Sequence, residues 1–353
     1  MATNAASQGV PGIYCPVPAT CPSSGSDLDR AALDWLRQFN VCDEAWLDSM
    51  EQARPLQLLA AACPAGITDR LRMVGDLWMW AFAFDDAFFD GGVLTGDPGG
   101  ACIMLRPLMR VLEAPYERSE EATGWEAALR DVRMRLEECG SPTQLNRWAA
   151  AARDMLFSFA CEAAVVQQSR GLGLREYLTH RMDSSGAKHH LLLVDFTYGY
   201  ELSTDSLADH VVRAATEACC VLLGMDNDLF SYDRERAVEA DATLNSIDIV
   251  ATEFGLSPEE ALTKTLDIRN RIMTDFLDST ALIRQRGDAN LAHYAQNLAQ
   301  WVRANIDWSR TTRRYREHIP RDGRSLAVPD IQVGGRFAAD PRRPVVWWWE
   351  RLA

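Results

Sequence analysis

Lysine is almost missing from this sequence: of 36 basic residues only Lys188 and Lys264 are lysines, and the rest are arginine. Positive charge as a whole is scarce, since 50 Asp and Glu leave a formal net charge of −14. That balance argues against a general nucleic-acid binder, because neutralising phosphates takes clustered Lys and Arg. A local basic pocket remains open, and arginine suits bidentate contacts to phosphate oxygens. The nine cysteines contain no CxxC pair, so neither a zinc site nor a disulfide framework is expected, and they read mostly as small buried hydrophobes. No apolar run approaches the roughly 20 residues of a membrane span. The N-terminus lacks the basic and apolar regions of a secretory signal, and the expected compartment is the cytoplasm.

What is present is helical patterning. With 47% hydrophobic residues, the 353-residue chain can bury a substantial core. Residues 1–25 are rich in Pro, Gly and Ser and read as an irregular arm. From there, helices are expected over about 27–39, 43–52, 66–90, 100–113, 124–139, 143–170, 187–200, 205–237, 257–279 and 289–317. No stretch reads as a strand, so the expected fold is all-α, a single-domain bundle over residues 26–318. After His318 the pattern stops, and Pro320, Pro329, Pro341 and Pro344 keep the tail 319–353 irregular. The tryptophans Trp347 to Trp349 are out of place in a solvated tail and are expected to dock on the core or on a partner subunit.

Two polar motifs interrupt this apolar pattern. In "FAFDDAFFD", the helical face of Val74, Leu77, Trp78 and Ala81 ends on Asp85, while Asp86 and Asp90 stand four apart on a neighbouring face. Carboxylates one turn apart repel unless a cation lies between them, and hard oxygens at this spacing suit Mg²⁺. A plain acidic helix end facing water is the alternative. In "DNDLFSYDRE", Asn227, Ser231 and Glu235 fall at i, i+4 and i+8. They form one stripe whose amide, hydroxyl and carboxylate oxygens make half a coordination shell for another Mg²⁺ and leave positions open for a diphosphate.

These residues resemble the motifs of bacterial class I terpene synthases. The family's aspartate-rich motif looks like Asp85-Asp86-Ala-Phe-Phe-Asp90, one residue longer here than its commonest form. Its N-D-x-x-S-x-x-x-E motif is matched by Asn227 through Glu235. Arg181 stands 46 residues ahead of Asn227, where the family carries a diphosphate-sensing arginine. Arg314-Tyr315 matches its downstream Arg-Tyr pair, and the resemblance covers about residues 14–318.

The resemblance implies a helical domain whose central cavity binds a linear isoprenyl diphosphate with three Mg²⁺ ions, Mn²⁺ serving as a substitute. It implies Asp85, Asp90, Asn227, Ser231 and Glu235 as metal ligands and Asp86 as a residue orienting an arginine. Arg181, Arg234, Arg314 and Tyr315 become diphosphate donors, with Asp85, Arg181, Arg314 and Tyr315 carrying catalysis. The segment "RMDSSGAKHH" resembles the family's broken helix, in which a freed backbone carbonyl faces the forming cation.

Residues one to three turns before the ligands, namely Trp78, Ala81 and Phe82 on one helix and Thr216, Cys220 and Leu223 on the other, are expected to line the pocket with Ser185 and Trp308. Farnesyl diphosphate is the first expected substrate and geranylgeranyl diphosphate the second, the small Ala81 and Ser185 hinting at extra room. His189 and His190 read as hydrogen-bonded structure without a catalytic role, since the diphosphate itself often takes the final proton in this family. Two other readings compete. A chain-elongating synthase would carry a second aspartate-rich motif where Asn227 stands. The other is a non-catalytic helical protein that binds divalent ions or a lipid diphosphate; Arg181, Arg314 and Tyr315 argue against it, because a pure ion binder has no use for diphosphate donors. Homodimers are common in the family.

Overall fold

The computed structural model describes residues 12–20, 25–117, 122–238 and 244–318, together with 323, 325–326 and 330–334 of the tail. The order of elements is β1 (Ile13–Tyr14), α1 (Gly25–Arg37), α2 (Glu44–Ala53), α3 (Leu56–Ala62), α4 (Thr68–Phe88), α5 (Pro98–Glu113), α6 (Gly124–Cys139), α7 (Pro142–Gln167) and α8 (Leu174–Ser184). It continues with α9 (Ala187–Leu191), α10 (Val194–Tyr198), α11 (Thr204–Ala208), α12 (His210–Val238), α13 (Ser246–Phe254), α14 (Pro258–Gln285), α15 (Ala289–Thr311), α16 (Arg313–Arg316) and β2 (Ile331–Gln332). Trp347–Trp349 and the tail prolines lie outside the described residues.

Local chemistry starts many of these helices. Ser141 and Ser257 each form a reciprocal capping box with the third residue of the helix, and each is followed by a proline whose missing N–H costs nothing there. Thr123 builds the same box with Glu126 for α6. In the bundle α12 packs along α14, α15 and α8, α4 packs on α1 and α6, and α7 packs on α5 and α8. Within this arrangement the last turn of α4 and the C-terminal half of α12 line a common cavity in the interior.

Several elements differ from the sequence expectation: α13 was not expected, and the helix expected over 205–237 is divided into α11 and α12. α3 is a seven-residue run, "LQLLAAA", that buries six of its members. With apolar residues all round it has no period to read. α8 buries only Leu174, Tyr177 and Leu178, and its first turn is capped from elsewhere, the Leu174 N–H donating to the Glu253 carboxylate of α13. The stretch expected as one helix over 187–200 is two short helices, and the one expected to 317 breaks at Thr312, whose hydroxyl takes the Arg314 N–H. Of the cysteines, Cys15, Cys63, Cys219 and Cys220 are buried as expected, whereas Cys102 and Cys139 are exposed.

The described part of the arm, residues 12–20, is packed onto the bundle. β1 pairs in parallel with β2, Ile13 opposite Ile331, so a short ladder joins the two ends of the chain where no strand was expected. Ile13 and Cys15 are fully buried. The arm is also tied to α14: the Tyr14 N–H donates to Asn270 Oδ1 (2.8 Å), Asn270 Nδ2 donates to the Gly12 carbonyl (2.9 Å), and Arg269 donates to the Tyr14 carbonyl. The same Arg269 grips Asp226 of α12 through two bonds of 2.7 and 3.0 Å, with neither side chain exposed. Arm, α14 and α12 are thereby locked at the residue directly before Asn227.

Truncating one partner of such a pair leaves a buried charge uncompensated, at a cost of about 3–5 kcal/mol. Arg269→Met is therefore expected to lower the unfolding free energy, read from the urea midpoint and slope of the helical circular-dichroism transition, by an amount in that range. An unchanged midpoint would show that the pair carries no net stability.

Candidate active site

α4 is buried along Leu71, Val74, Leu77 and Ala83 and delivers Asp85 and Asp86 in its last turn. The Phe89 and Asp90 N–H groups both donate to the Asp85 carbonyl (2.8 and 2.9 Å), and Gly91, at φ 73°, turns the chain away. The helix thus ends at Phe88 rather than at 90, and Asp90 sits on the turn beyond it. α12 brings Asn227, Ser231 and Glu235 to the opposite side, α8 brings Arg181, and α16 brings Arg314 and Tyr315. One cavity is lined by Asp85, Asp90, Arg181, Asn227, Ser231, Arg234, Glu235, Arg314 and Tyr315 at its polar end. A turn or two back along the same helices it is lined by Trp78, Ala81, Phe82 and Leu223, with Met155, Phe159, Ser185, His190, Trp301 and Trp308.

Of the eight residues expected to line the pocket, the structure gathers six, Trp78, Ala81, Phe82, Ser185, Leu223 and Trp308, into this wall. Thr216 and Cys220 are not part of it; the Thr216 hydroxyl is instead bonded to Tyr294 (3.0 Å). The aromatic end is ordered: Trp78 stacks on Trp301 with centroids 5.1 Å apart, and Phe82 meets Trp308 edge-on at 6.3 Å. The break after Arg181 lies at Ser185-Gly186, where Gly186 takes φ 68°. Of the carbonyls at this break, that of Gly186 is already occupied, accepting from His190 Nδ1 at 2.9 Å.

The charges at the polar end are unevenly paired. Asp86 accepts from both terminal nitrogens of Arg314 and from Trp46 Nε1 (2.9 Å), with Arg234 within 3.7 Å. Burial opposes its charge, yet Arg314 and Arg234 outweigh that and hold its carboxyl below the usual range. Asp90 accepts from Arg234 (2.6 Å) and Arg314 (3.3 Å). Asp85 accepts no side-chain hydrogen bond among the described residues. Burial first, then the charges of Asp90, Asp86 and Glu162, raise its pKa well above the ordinary carboxylate value.

Across the cavity, Glu235 accepts from Ser231 and from Asn245 Nδ2 (2.9 Å), and burial with nearby Asp228 pushes it up to about 7. Asn227 is held at both ends of its amide, by Arg181 (2.7 Å) and by the Tyr315 hydroxyl (2.7 Å). Hard oxygen donors with more negative charge than the local arginines balance fit a divalent cation. Among the described residues no three His, Cys, Asp or Glu side chains are gathered tightly enough to hold an ion alone. A cation here therefore needs the Asn227 and Ser231 oxygens, water or the oxygens of a ligand.

A profile of the family described as terpene synthase family 2, C-terminal metal binding, matches residues 76–275, which include both motifs. The chain belongs to the terpene synthase family. This terpene synthase is 30% identical to (+)-(1(10)E,4E,6S,7R)-germacradien-6-ol synthase of Streptomyces pratensis, covering 100% of its own length and 99% of that relative. It is 28% identical to a protein of Streptosporangium roseum named 4-epi-cubebol synthase, (2E,6E)-farnesyl diphosphate cyclizing, over 87% of this chain and 92% of the other. Its fold matches that of 2-methylisoborneol synthase from Streptomyces coelicolor, solved with Mg²⁺ and 2-fluoroneryl diphosphate, at a TM-score of 0.76 and 20% identity, covering 87% and 98% of the two chains. No helix among the described residues is long and apolar enough to cross a membrane.

Four residues of the synthase site escaped the sequence reading. Asp228 is the hub beneath Arg181, accepting from its Nε (3.0 Å) and terminal nitrogen (2.8 Å), from the Tyr177 hydroxyl (2.5 Å) and from the Ser246 N–H (3.1 Å). Tyr177 and Asn245 carry no periodic signal, because their partners come from distant segments. Gly224 did leave a signal, a lone glycine one turn before Asn227 in a long helix. A Cβ there would lie 2.7 Å from Arg181 Cγ, so the missing side chain is the slot through which Arg181 crosses α12. Gly224→Ala is expected to displace the guanidinium and lower kcat/KM for diphosphate release about 100-fold, the scale of a ~1 Å misplacement. An unchanged kcat/KM with an unchanged circular-dichroism spectrum would show that the slot is dispensable.

Proposed function

We propose that the cavity binds a linear isoprenyl diphosphate, with farnesyl diphosphate as the first substrate, ionises it, and cyclises the carbocation to a terpene hydrocarbon or alcohol. The observation that carries the reading is the division of one cavity into an acidic, arginine-bearing end and an aromatic end. A diphosphate with a hydrocarbon tail has the same division. The Streptosporangium relative, named for cyclising farnesyl diphosphate, supports a fifteen-carbon chain.

Asp85 and Asp90 on one side, and Asn227, Ser231 and Glu235 on the other, would hold Mg²⁺, three ions in all with Mn²⁺ as a substitute. When bound, the ions would supply Lewis acidity toward the leaving diphosphate and neutralise the facing carboxylates. The protein groups do the rest. Arg181, Arg234, Arg314 and Tyr315 present N–H and O–H donors that favour the diphosphate increasingly as its charge develops, which is the differential stabilisation that lowers an ionisation barrier.

In the resting arrangement these donors are engaged: Arg314 and Arg234 on Asp86 and Asp90, Arg181 on Asp228 and Asn227. An incoming diphosphate competes for Arg181, and its departure frees the Asn227 amide oxygen for a cation. Asp86 keeps Arg314 aimed throughout. Once the C–O bond breaks, its electron pair leaves with the diphosphate, and the allylic cation stays against the faces of Trp78, Phe82, Trp301 and Trp308. Such faces stabilise a cation within about 6 Å, and a closed apolar wall keeps water away.

Incubation with geranyl, farnesyl and geranylgeranyl diphosphate in Mg²⁺, followed by gas chromatography with mass detection, is expected to give a cyclic product from farnesyl diphosphate. Asp85→Ala and Asn227→Leu are each expected to lower turnover about 1,000-fold or more while the helical signal stays intact. Full turnover in either would remove its residue from the metal site.

The raised Glu235 supplies a test that does not depend on turnover. Its folded-state affinity for the proton, near pH 7, means that at pH 6 the metal-free carboxyl is largely protonated, and a bound cation must expel that proton. Adding Mg²⁺ in weak buffer at pH 6 is expected to acidify the solution more than at pH 8, and Glu235→Gln should reduce the difference. Equal release at both pH values would place the cation elsewhere.

A further inference from the structure

His190 is read from the sequence as hydrogen-bonded structure, and the structure gives that reading only half of its support. The Nδ1 atom lies 2.9 Å from the Gly186 carbonyl. A carbonyl only accepts, so Nδ1 carries the hydrogen and Nε2 of the neutral ring keeps its lone pair. That Nε2 is buried and has no partner among the described residues, nor does either nitrogen of the adjoining His189, which corrects the expectation for both residues. The two imidazoles are packed together, centroids 3.9 Å apart, in the wall of the catalytic cavity.

We propose that His190, through the bare lone pair of Nε2, takes the proton that ends the carbocation cascade. The inference rests on the proposed isoprenyl diphosphate chemistry and adds to it a base built into the protein. Place is the first argument. His190 packs on Trp78, ring centroids 4.6 Å apart, and Trp78 precedes Asp85 by two helical turns, about 10 Å along α4. A diphosphate held beside Asp85 is far from a cationic centre left at the Trp78 end, whereas His190 is next to it.

Chemistry is the second argument. At the last step a C–H bond next to the cationic carbon breaks, its electron pair closes the new C=C bond, and the proton bonds to Nε2. Burial holds His190 down at about 4, so the ring waits in the neutral, accepting form. Such a weakened base still suffices, because a C–H beside a carbocation is far more acidic than an imidazolium. The imidazolium that forms keeps its Nδ1–H on the Gly186 carbonyl and lies against the Trp78 and Trp301 rings, at 4.6 and 6.3 Å, where a cation is stabilised by the aromatic faces. Its low affinity then returns the proton to the diphosphate or to water as the cavity opens.

The test measures the share of wild-type product per diphosphate released. In His190→Phe, which keeps a ring and removes the base, that share is expected to fall at least tenfold, with earlier-quenched hydrocarbons or alcohols in its place. Because a ring swap also reshapes the wall, His190→Ala is assayed with added imidazole or with pyrrole, which has the same size and no basic nitrogen. Restoration by imidazole alone supports the base. Restoration by both or by neither, or an unchanged share in His190→Phe, overturns it. Failure of the wild-type enzyme to release diphosphate from any isoprenyl diphosphate overturns the underlying reading as well, and is seen before any variant is compared.

Discussion

The arrangement depends on one electrostatic imbalance: carboxylates converge on a cavity whose far wall is aromatic, and Asp85 has no side-chain donor of its own among the described residues. Asp86 and Asp90 share two arginines, but that sharing leaves Asp85 between like charges and apolar side chains. A fold does not retain so costly a group without a use for it, because uncompensated buried charge works directly against stability. The compensation is deferred to what enters the cavity. The arginines are set for the same arrival: Asp86 keeps Arg314 aimed through a two-point pair, while Arg181 can exchange the Asn227 amide for a diphosphate at little cost in reorganisation.

Holding such a site still requires rigidity just outside it. Asn227 and Asp228 lie next to Asp226, whose fully buried pair with Arg269 fixes α12 to α14 and, through Tyr14, to the arm. Beneath them Asp228 collects Tyr177, Arg181 and Ser246, so α8, α12 and the start of α13 share a single carboxylate. Gly224 lets α8 approach closely enough for this to happen. The metal motif is therefore one edge of a network that runs through the middle of the bundle and reaches the arm at Tyr14.

How much of this the sequence discloses follows from the range of each interaction. The stripe Asn227, Ser231, Glu235 and the run ending at Asp85 are legible because helical period alone puts those residues on one face. The all-α class is legible for the same reason, as are the helices that open on Ser-Pro capping boxes. α8 escaped because its cap is a glutamate from another helix, and α3 because six apolar residues out of seven leave no period to read. The β1–β2 ladder joins residues near opposite ends of the chain, and nothing local marks two residues as a strand. Asp228 was in view as part of a motif, but its role as a hub depends on Tyr177 and Ser246, whose approach only the fold decides.

The histidine pair shows where a sequence prior gives way to geometry. A histidine near a helical core is ordinarily satisfied at both nitrogens, and by that prior His189 and His190 are structure. Three of their four ring nitrogens have no partner among the described residues, which is a standing cost in the apolar interior. Leucine or phenylalanine would pack as well without that cost, so the imidazoles need another reason to be there. The aromatic end of the cavity has a step in which an unpartnered lone pair is an asset, the removal of a proton from a cation that has moved away from the diphosphate. Placing the base on the short helix after the break, with Gly186 fixing its tautomer, keeps that lone pair directed by the backbone rather than by a side-chain partner that would have to let go.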